Sequence, residues 1–138
     1  MLAFAHSPGV KICGITRADQ AAEIVDAGAD ALGINLWPKS KRCIPLDEAA
    51  IWLPALRDQI VLVAVVVNPS ADQLDAILES HLFHAIQLHG DETPADVAAL
   101  MERDVVVIKA LQVRSRESLA AVAAFPTPNI LLDSYNPG

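Results

Sequence analysis

Four apolar runs of the sequence each end on a side chain that can take part in chemistry. These residues are Cys13, Asn68, His89 and Asp133. A thiolate can act as a base and a carboxyl group as an acid, so Cys13 and Asp133 are candidates for proton transfer, which contributes typically ~10²–10⁴-fold per group. The simpler interpretation of any single position is that a polar surface loop begins there.

Cys13 lies in the segment "KICGIT", three residues before Thr16, the predicted N-cap of the first helix. The positive end of that helix favours a thiolate over a thiol. Gly14, directly after the cysteine, allows backbone or substrate to approach closely. A lone cysteine is more often an inert buried side chain, and we assign that role to Cys43.

The segment "WPKSKRCI" carries three cations, Lys39, Lys41 and Arg42, in a chain whose formal net charge is -7. Such a local cluster suits a carboxylate or phosphate ligand, for which arginine is the better planar partner. A solvated loop is an equally good interpretation of the same composition. The segment is therefore a candidate anion site and no more than that.

Composition and motif content argue against several classes of protein. The acidic balance argues against a nucleic-acid partner or an anionic membrane surface. No set of His, Cys, Asp and Glu has metal-ligand spacing, and no glycine-rich nucleotide motif occurs, so neither a metal nor a cofactor is predicted. The two cysteines form no disulfide framework and the opening residues do not resemble a signal peptide. We therefore expect a cytoplasmic protein.

Strand-like and helix-like patterns alternate along the whole chain, which is typical of repeated βαβ units and a mostly parallel sheet. Strands are predicted over Gly9–Ile15, Ala31–Trp37, Ile60–Asn68, His84–Gly90, Val105–Leu111 and Asn129–Asp133. Helices are predicted from Thr16 to about Gly28 and over Leu46–Leu56, Ala71–Glu79, Thr93–Glu102 and Ser115–Ala124. No linker or break in composition occurs, so residues 1–138 are expected to form a single domain.

Two parallel architectures fit this pattern, an open flavodoxin-like sheet and a (β/α)8 barrel. Lys11 and Cys13 share one strand face, and Gln87 and His89 share another, while the residues between them are apolar. Polar side chains on the face away from the helices suit a barrel lumen that opens into a site. We therefore predict an α/β chain of the TIM-barrel class, a partial barrel with about its first six strands and five helices.

Four segments, taken in order, resemble the phosphoribosylanthranilate isomerase family, (β/α)8 enzymes of tryptophan biosynthesis. They are "KICGIT", "PKSKR", "QLHG" and "LLDS", beginning at Lys11, Pro38, Gln87 and Leu131. The match runs in register from about Val10 to the end of the chain. The resemblance implies an isomerase that works without a cofactor and converts N-(5-phosphoribosyl)anthranilate, a small phosphosugar, by an Amadori rearrangement.

The same resemblance implies roles for individual residues. Cys13 matches the general base, Asp133 the general acid, and Arg42 the arginine that contacts the anthranilate ring and carboxylate. Lys11 and His89 match motif residues near the substrate. In this chemistry Asp133 starts protonated, so we expect it to be desolvated.

The resemblance also implies phosphate-binding loops that lie beyond Gly138, since "SYNPG" is similar to the opening of the loop that leads to them. We therefore expect the 138-residue chain by itself to be weakly active or inactive, and to self-associate through exposed strand edges. Two alternatives stay open: a non-enzymatic partial-barrel or flavodoxin-like module that binds anions or partners through the cationic loop, and another phosphate-handling barrel isomerase.

Overall fold

Six parallel strands form one sheet in the order β1-β2-β3-β4-β5-β6. The computed structural model describes residues 1–134, and the remainder of the predicted "SYNPG" loop, residues 135–138, lies outside this part. The strands are β1 Lys11–Cys13, β2 Ala31–Asn35, β3 Val61–Val66, β4 Ala85–Leu88, β5 Val106–Val113 and β6 Asn129–Ser134. All six predicted strands are confirmed, with shorter bounds for the first four.

The sequential strand order decides between the two predicted architectures. A flavodoxin-like sheet has its first strand inside the sheet, whereas β1 here pairs with β2 alone among the described strands and lies at an edge. β2 lies between β1 and β3. The observed order is that of consecutive barrel staves, so the barrel prediction is confirmed and the flavodoxin-like alternative is wrong.

The helices lie close to their predicted positions. The α-helices are α1 Ala18–Asp26, α2 Leu46–Trp52, α3 Ala71–Glu79 and α4 Pro94–Met101. Two 3₁₀ helices, Leu53–Leu56 and Glu117–Ala124, follow α2 and β5. Ser70 caps α3 through Gln73 N–H, and Thr93 and Asp96 form a capping box at α4.

Three helical predictions need correction. The N-cap of α1 is Arg17 rather than Thr16, and it makes no side-chain cap. The predicted second helix changes to 3₁₀ geometry at Leu53, because Pro54 has no N–H to continue the α-helical hydrogen bonds. The predicted fifth helix is also a 3₁₀ helix, Glu117–Ala124, and none of its residues is buried, so it lacks the packed face that stabilises most α-helices.

The two faces of the sheet carry different cores. The outer face packs against the helices in a large cluster that includes Leu32, Leu62 and Ile86. The inner face holds a small cluster, Ala31, Val63, Ala85 and Ile108, joined by Leu2, Val61 and Leu131. Alternation along each strand produces this division, and it sends the odd-numbered residues of β1 and β4 to the inner face, as predicted.

The N-terminal segment lies against this inner cluster, near the residues at which the strands begin. Leu2 packs against it, and the Leu2 N–H donates to Asn129 Oδ1 on β6 at 2.8 Å. His6 and Val10 both bond the carboxylate of Asp30, which precedes β2. In the described part of the chain no helix combines the length and the apolar character needed to cross a membrane.

Candidate active site

The first group of site residues lies at the carboxyl end of β1. The ammonium group of Lys11 donates to Cys13 Sγ at 2.7 Å, along the same face of the strand. Gly33 is the register partner of Cys13 on β2. A Cβ at Gly33 would overlap with Cys13 Sγ and come within 3.3 Å of Lys11 Nζ. The glycine therefore leaves the space that the thiol and its cation occupy.

Arg42 reaches the same place from the loop after β2. Gly14, which follows Cys13, has φ +77, and a Cβ there would lie 2.7 Å from both Cδ and Nη1 of Arg42. The guanidinium group thus passes directly over the backbone next to the thiol. Two features require glycine at position 14: the positive φ angle of its backbone and the close approach of the Arg42 side chain.

Two polar side chains shape the cationic loop that carries Arg42. Asn35, at the end of β2, accepts from Trp37 N–H and donates to Ser40 Oγ. Ser40 Oγ in turn accepts from Arg42 N–H at 3.1 Å. Lys39, Lys41 and Arg42 are all exposed, and Arg42 is the cation of this loop that lies against the β1 end.

The second group lies at the carboxyl ends of β4 and β6. Gln87 Nε2 lies 2.8 Å from His89 Nδ1, and His89 Nε2 lies 3.2 Å from Asp133 Oδ2. The side chain of Asp133 is 44% exposed and that of His89 is 30% exposed. The expected desolvation of Asp133 is therefore wrong for the described chain, because β6 is an edge strand and one side of the residue faces solvent.

The contact between His89 and Asp133 joins two strands that are not neighbours. Their strands are two positions apart, because β5 lies between β4 and β6. Neighbouring strands are ~4.8 Å apart, so a flat sheet would place the two backbones nearly twice that distance from each other. The two side chains on the inner face therefore lean toward each other across β5.

A buried ion pair holds the turn that follows β4. Lys109 Nζ donates to Glu92 Oε1 and to Gly90 C=O, both at 2.8 Å. Glu92 also accepts from the backbone N–H groups of Asn68 and Gly90. Burial by itself raises the pKa of Glu92, but the hydrogen bonds from Lys109, Asn68 and Gly90 outweigh it and lower the pKa overall.

The structure thus brings the five predicted site residues into two groups rather than one. Cys13, Lys11 and Arg42 lie at the β1–β2 side, and His89 and Asp133 lie at the β4–β6 side. Between them runs β3, whose inner face is apolar. Cys43 is half-buried, and burial raises the pKa of its thiol.

Three features of the site were missed by sequence reasoning. Gly33 could have been recognised from the sequence, because a glycine inside a predicted strand often marks a place where other atoms approach the backbone closely. Lys109 could have been recognised as a charged residue inside the apolar run "VVVIKAL". A charge buried in a strand needs a partner of opposite charge. Gln87 was recognised only as sharing a face with His89, and nothing in the sequence shows the hydrogen bond between them.

Comparison with known proteins identifies the family. The sequence model of N-(5'-phosphoribosyl)anthranilate (PRA) isomerase matches residues 10–138. The chain belongs to this family. The isomerase of Azotobacter vinelandii is 39% identical over 130 residues, which cover 93% of this chain and 62% of that protein.

Solved structures of the same family share the fold. The enzyme of Thermotoga maritima has a TM-score of 0.84 at 35% identity, over 94% of this chain and 62% of its own. A second PRA isomerase structure, in complex with reduced 1-(o-carboxyphenylamino)-1-deoxyribulose 5-phosphate, has a TM-score of 0.83 at 34% identity, over 93% of this chain and 66% of its own. The chain spans about three fifths of the length of the relatives that it matches.

Proposed function

We propose that this chain carries the acid and the base of an N-(5'-phosphoribosyl)anthranilate isomerase of tryptophan biosynthesis. The observation that supports it most directly is the position of Cys13 and Asp133, both at the carboxyl ends of strands on the inner face of a barrel-type sheet. This is the end at which barrel enzymes place their catalytic groups. The family relative that holds a reduced carboxyphenylamino-deoxyribulose phosphate supports the choice of substrate.

Asp133 is the proposed general acid. It protonates the ring oxygen of the ribose, the ring opens, and an iminium ion forms at C1′. The carboxylate that remains on Asp133 accepts a hydrogen bond from His89, whose Nε2 lies 3.2 Å from Oδ2. In this role His89 supports the acid, in addition to the substrate contact that the family resemblance implies.

Cys13 is the proposed general base. The iminium ion acidifies the hydrogen on C2′, the thiolate removes it, and the enolamine that results tautomerises to the ketone. The ammonium group of Lys11, at 2.7 Å from Sγ, stabilises negative charge on the sulfur before the proton is transferred. Lys11 thus serves the base directly, a role that the family resemblance left open.

Arg42 is the proposed partner of the anthranilate carboxylate. Its guanidinium group lies over Gly14, next to the base, so a carboxylate bound there would hold the aromatic end of the substrate beside Cys13. Such a contact keeps the reacting carbon aligned with the thiolate.

The proposal is tested with a chimera that continues residues 1–134 into the corresponding C-terminal part of the Thermotoga maritima enzyme. We expect it to convert phosphoribosylanthranilate and to rescue a tryptophan auxotroph that lacks this isomerase. Cys13→Ala and Asp133→Asn should each lower kcat by about 10²–10⁴-fold, whereas Cys43→Ala, the matched control, should retain activity. Full activity of either of the first two variants would refute the catalytic assignment.

The 138-residue chain should be assayed beside the chimera, and we expect it to be weakly active or inactive by itself. If the chain or the chimera binds the carboxylate or phosphate group of the substrate without converting the substrate, that result would instead support the alternative of a binding module that acts through the cationic loop. A substrate panel separates both from another phosphate-handling isomerase.

We also propose that the chain self-associates and that it acts in the cytoplasm. Both cysteines are free in the structure, as is usual in a reducing compartment. Among the described strands β1 and β6 each have a neighbour on one side only, and unpaired strand edges favour association.

A further inference from the structure

We propose that Gln87 is a positioning residue that holds His89 in its Nε2–H tautomer, so that His89 donates a hydrogen bond to Asp133. The inference deepens the proposed isomerase function and rests on it for its catalytic meaning. The arrangement itself is a property of the described chain and can be measured without substrate.

The chemistry of the Gln87 amide group determines the direction of the hydrogen bonds. The amide nitrogen of Gln87 is a donor only, so at 2.8 Å from Nδ1 it requires a lone pair on that ring nitrogen. A neutral imidazole with a lone pair on Nδ1 carries its proton on Nε2. That Nε2–H group lies 3.2 Å from Asp133 Oδ2, which accepts it.

The burial of Gln87 favours one orientation of its amide group. Gln87 is 1% exposed, and its Oε1 has no hydrogen-bond partner in the described structure. If the amide group were reversed, its oxygen would face His89 Nδ1, and its NH2 group would be buried with both hydrogens unpaired. Buried N–H groups without partners are rarer than under-satisfied carbonyl groups. The direction with Gln87 as donor is therefore the less costly one.

The Nε2–H tautomer of His89 suits the role of Asp133 as the acid. With Nε2–H bonded to Oδ2, the proton of the carboxyl group is left on Oδ1, where it is free to pass to the substrate. Once it has left, the same bond stabilises the carboxylate. With the opposite tautomer, the Nε2 lone pair would compete with the substrate for the proton of Asp133. Gln87 thus determines which partner receives the proton, without touching the substrate.

The chain contains an internal standard for this measurement. His84 Nδ1 accepts from the backbone N–H of Leu62 at 2.9 Å, and a backbone amide can only donate. His84 is therefore fixed in the Nε2–H tautomer, and burial is the largest cause of its lowered pKa, which favours the neutral ring. Its ring nitrogen shifts show how this tautomer appears in the spectrum.

The test is ¹⁵N NMR of the histidine rings in the 138-residue chain at mildly alkaline pH, where histidine is neutral. We expect His89 to share the Nε2–H signature of His84 in the wild type and in Asp133→Asn, because Gln87 alone is sufficient. In Gln87→Met, which keeps the volume and loses the donor, His89 should populate both tautomers while His84 is unchanged. In Gln87→Glu, whose carboxylate accepts from Nδ1–H, protonation should appear at Nδ1.

An Nδ1–H tautomer in the wild type, or a Gln87→Met spectrum identical to that of the wild type, would overturn the proposal. The wild-type spectrum decides even where a variant fails to fold. In the chimera, Gln87→Met should lower kcat by about tenfold with little change in KM, since the residue acts on the acid rather than on binding. A confirmed tautomer together with a chimera that has no isomerase activity would refute the proposed function and leave the positioning role intact.

Discussion

At the scale of single residues, the β1 end shows how two side chains of one strand form a unit. Lys11 and Cys13 are two positions apart, so both point to the inner face, and the ammonium group meets the sulfur at 2.7 Å. Gly33 on the neighbouring strand leaves room for both. Cys43, by contrast, has burial without a cation, and burial raises the pKa of its thiol.

This difference predicts the reactivity of the two cysteines. We expect iodoacetamide to alkylate Cys13 faster than Cys43 at neutral pH, because Cys13 is exposed and lies beside the Lys11 ammonium group, whereas burial raises the pKa of the Cys43 thiol. Lys11→Met should slow the reaction of Cys13 several-fold and leave that of Cys43 unchanged, as followed by mass spectrometry of the two peptides. Equal rates for Cys13 in the wild type and in Lys11→Met would contradict the proposed support of the base.

At the scale of elements, the turn after β4 is held by a buried ion pair and its hydrogen bonds. Lys109 emerges on the helix side of β5 and reaches across to Glu92 and to the carbonyl of Gly90. Its ammonium group also lies 5.8 Å from the ring centre of Phe125. Because His89 directly precedes this turn, the ion pair helps to fix the backbone from which His89 extends toward Asp133.

Breaking this pair should therefore be costly. Lys109→Met leaves Glu92 as a buried charge without its cation, and we expect the free energy of unfolding to fall by about 3–5 kcal/mol. The matched control is Arg103→Met, which removes the half-exposed pair of Arg103 with Asp75 and should cost about 0–1 kcal/mol. Urea unfolding followed by circular dichroism measures both. Similar losses in the two variants would show that the Lys109 pair has no special weight.

The same carboxylate predicts a dependence of stability on pH. The pKa of Glu92 is lower in the folded chain than its ordinary value of 4.5, so between these two values the unfolded state binds more protons. The stabilisation is complete above the ordinary value and is lost as pH falls through the folded one. Urea midpoints measured between about pH 6 and about pH 3 should fall less steeply for Glu92→Gln than for the wild type. Parallel curves would contradict this account.

At the scale of the whole molecule, the sheet has exposed apolar side chains on both of its edge strands. Ile12 on β1 and Leu132 on β6 point toward the helix side of the sheet, and they are 36% and 54% exposed. Both strands also have an unpaired backbone edge among the described residues. Apolar surface and free backbone groups at the same place favour association.

We expect the 138-residue chain to associate in a concentration-dependent manner, as measured by size-exclusion chromatography with light scattering. Leu132→Lys places a charge on the β6 edge and should shift the chain toward the monomer. Ile51→Lys is the matched control, because Ile51 is 82% exposed but lies on α2, away from both edges, and it should leave the association unchanged. A wild-type chain that stays monomeric at all concentrations would refute the association.

Much of this architecture is local and could therefore be predicted. The period of the apolar residues determines the elements, and the period of two along a strand determines that Cys13 and Lys11, or Gln87 and His89, share a face. The short motifs around Cys13 and His89 carry the family resemblance, and they lie at strand ends as expected. Helix ends were less predictable, as Arg17 and Pro54 show, because capping and 3₁₀ geometry depend on single contacts.

The α/β class of the fold, the order of its elements and the set of inward-facing side chains could be predicted from single segments, because each of these follows from local periodicity. Which side chains meet, on either face of the sheet, is set by the tertiary structure. His89 reaches Asp133 across β5, Arg42 lies over Gly14, and Lys109 finds Glu92. These contacts join residues far apart in the chain, and they depend on the curvature and register of the sheet, which are set by the packing of all its strands and helices together.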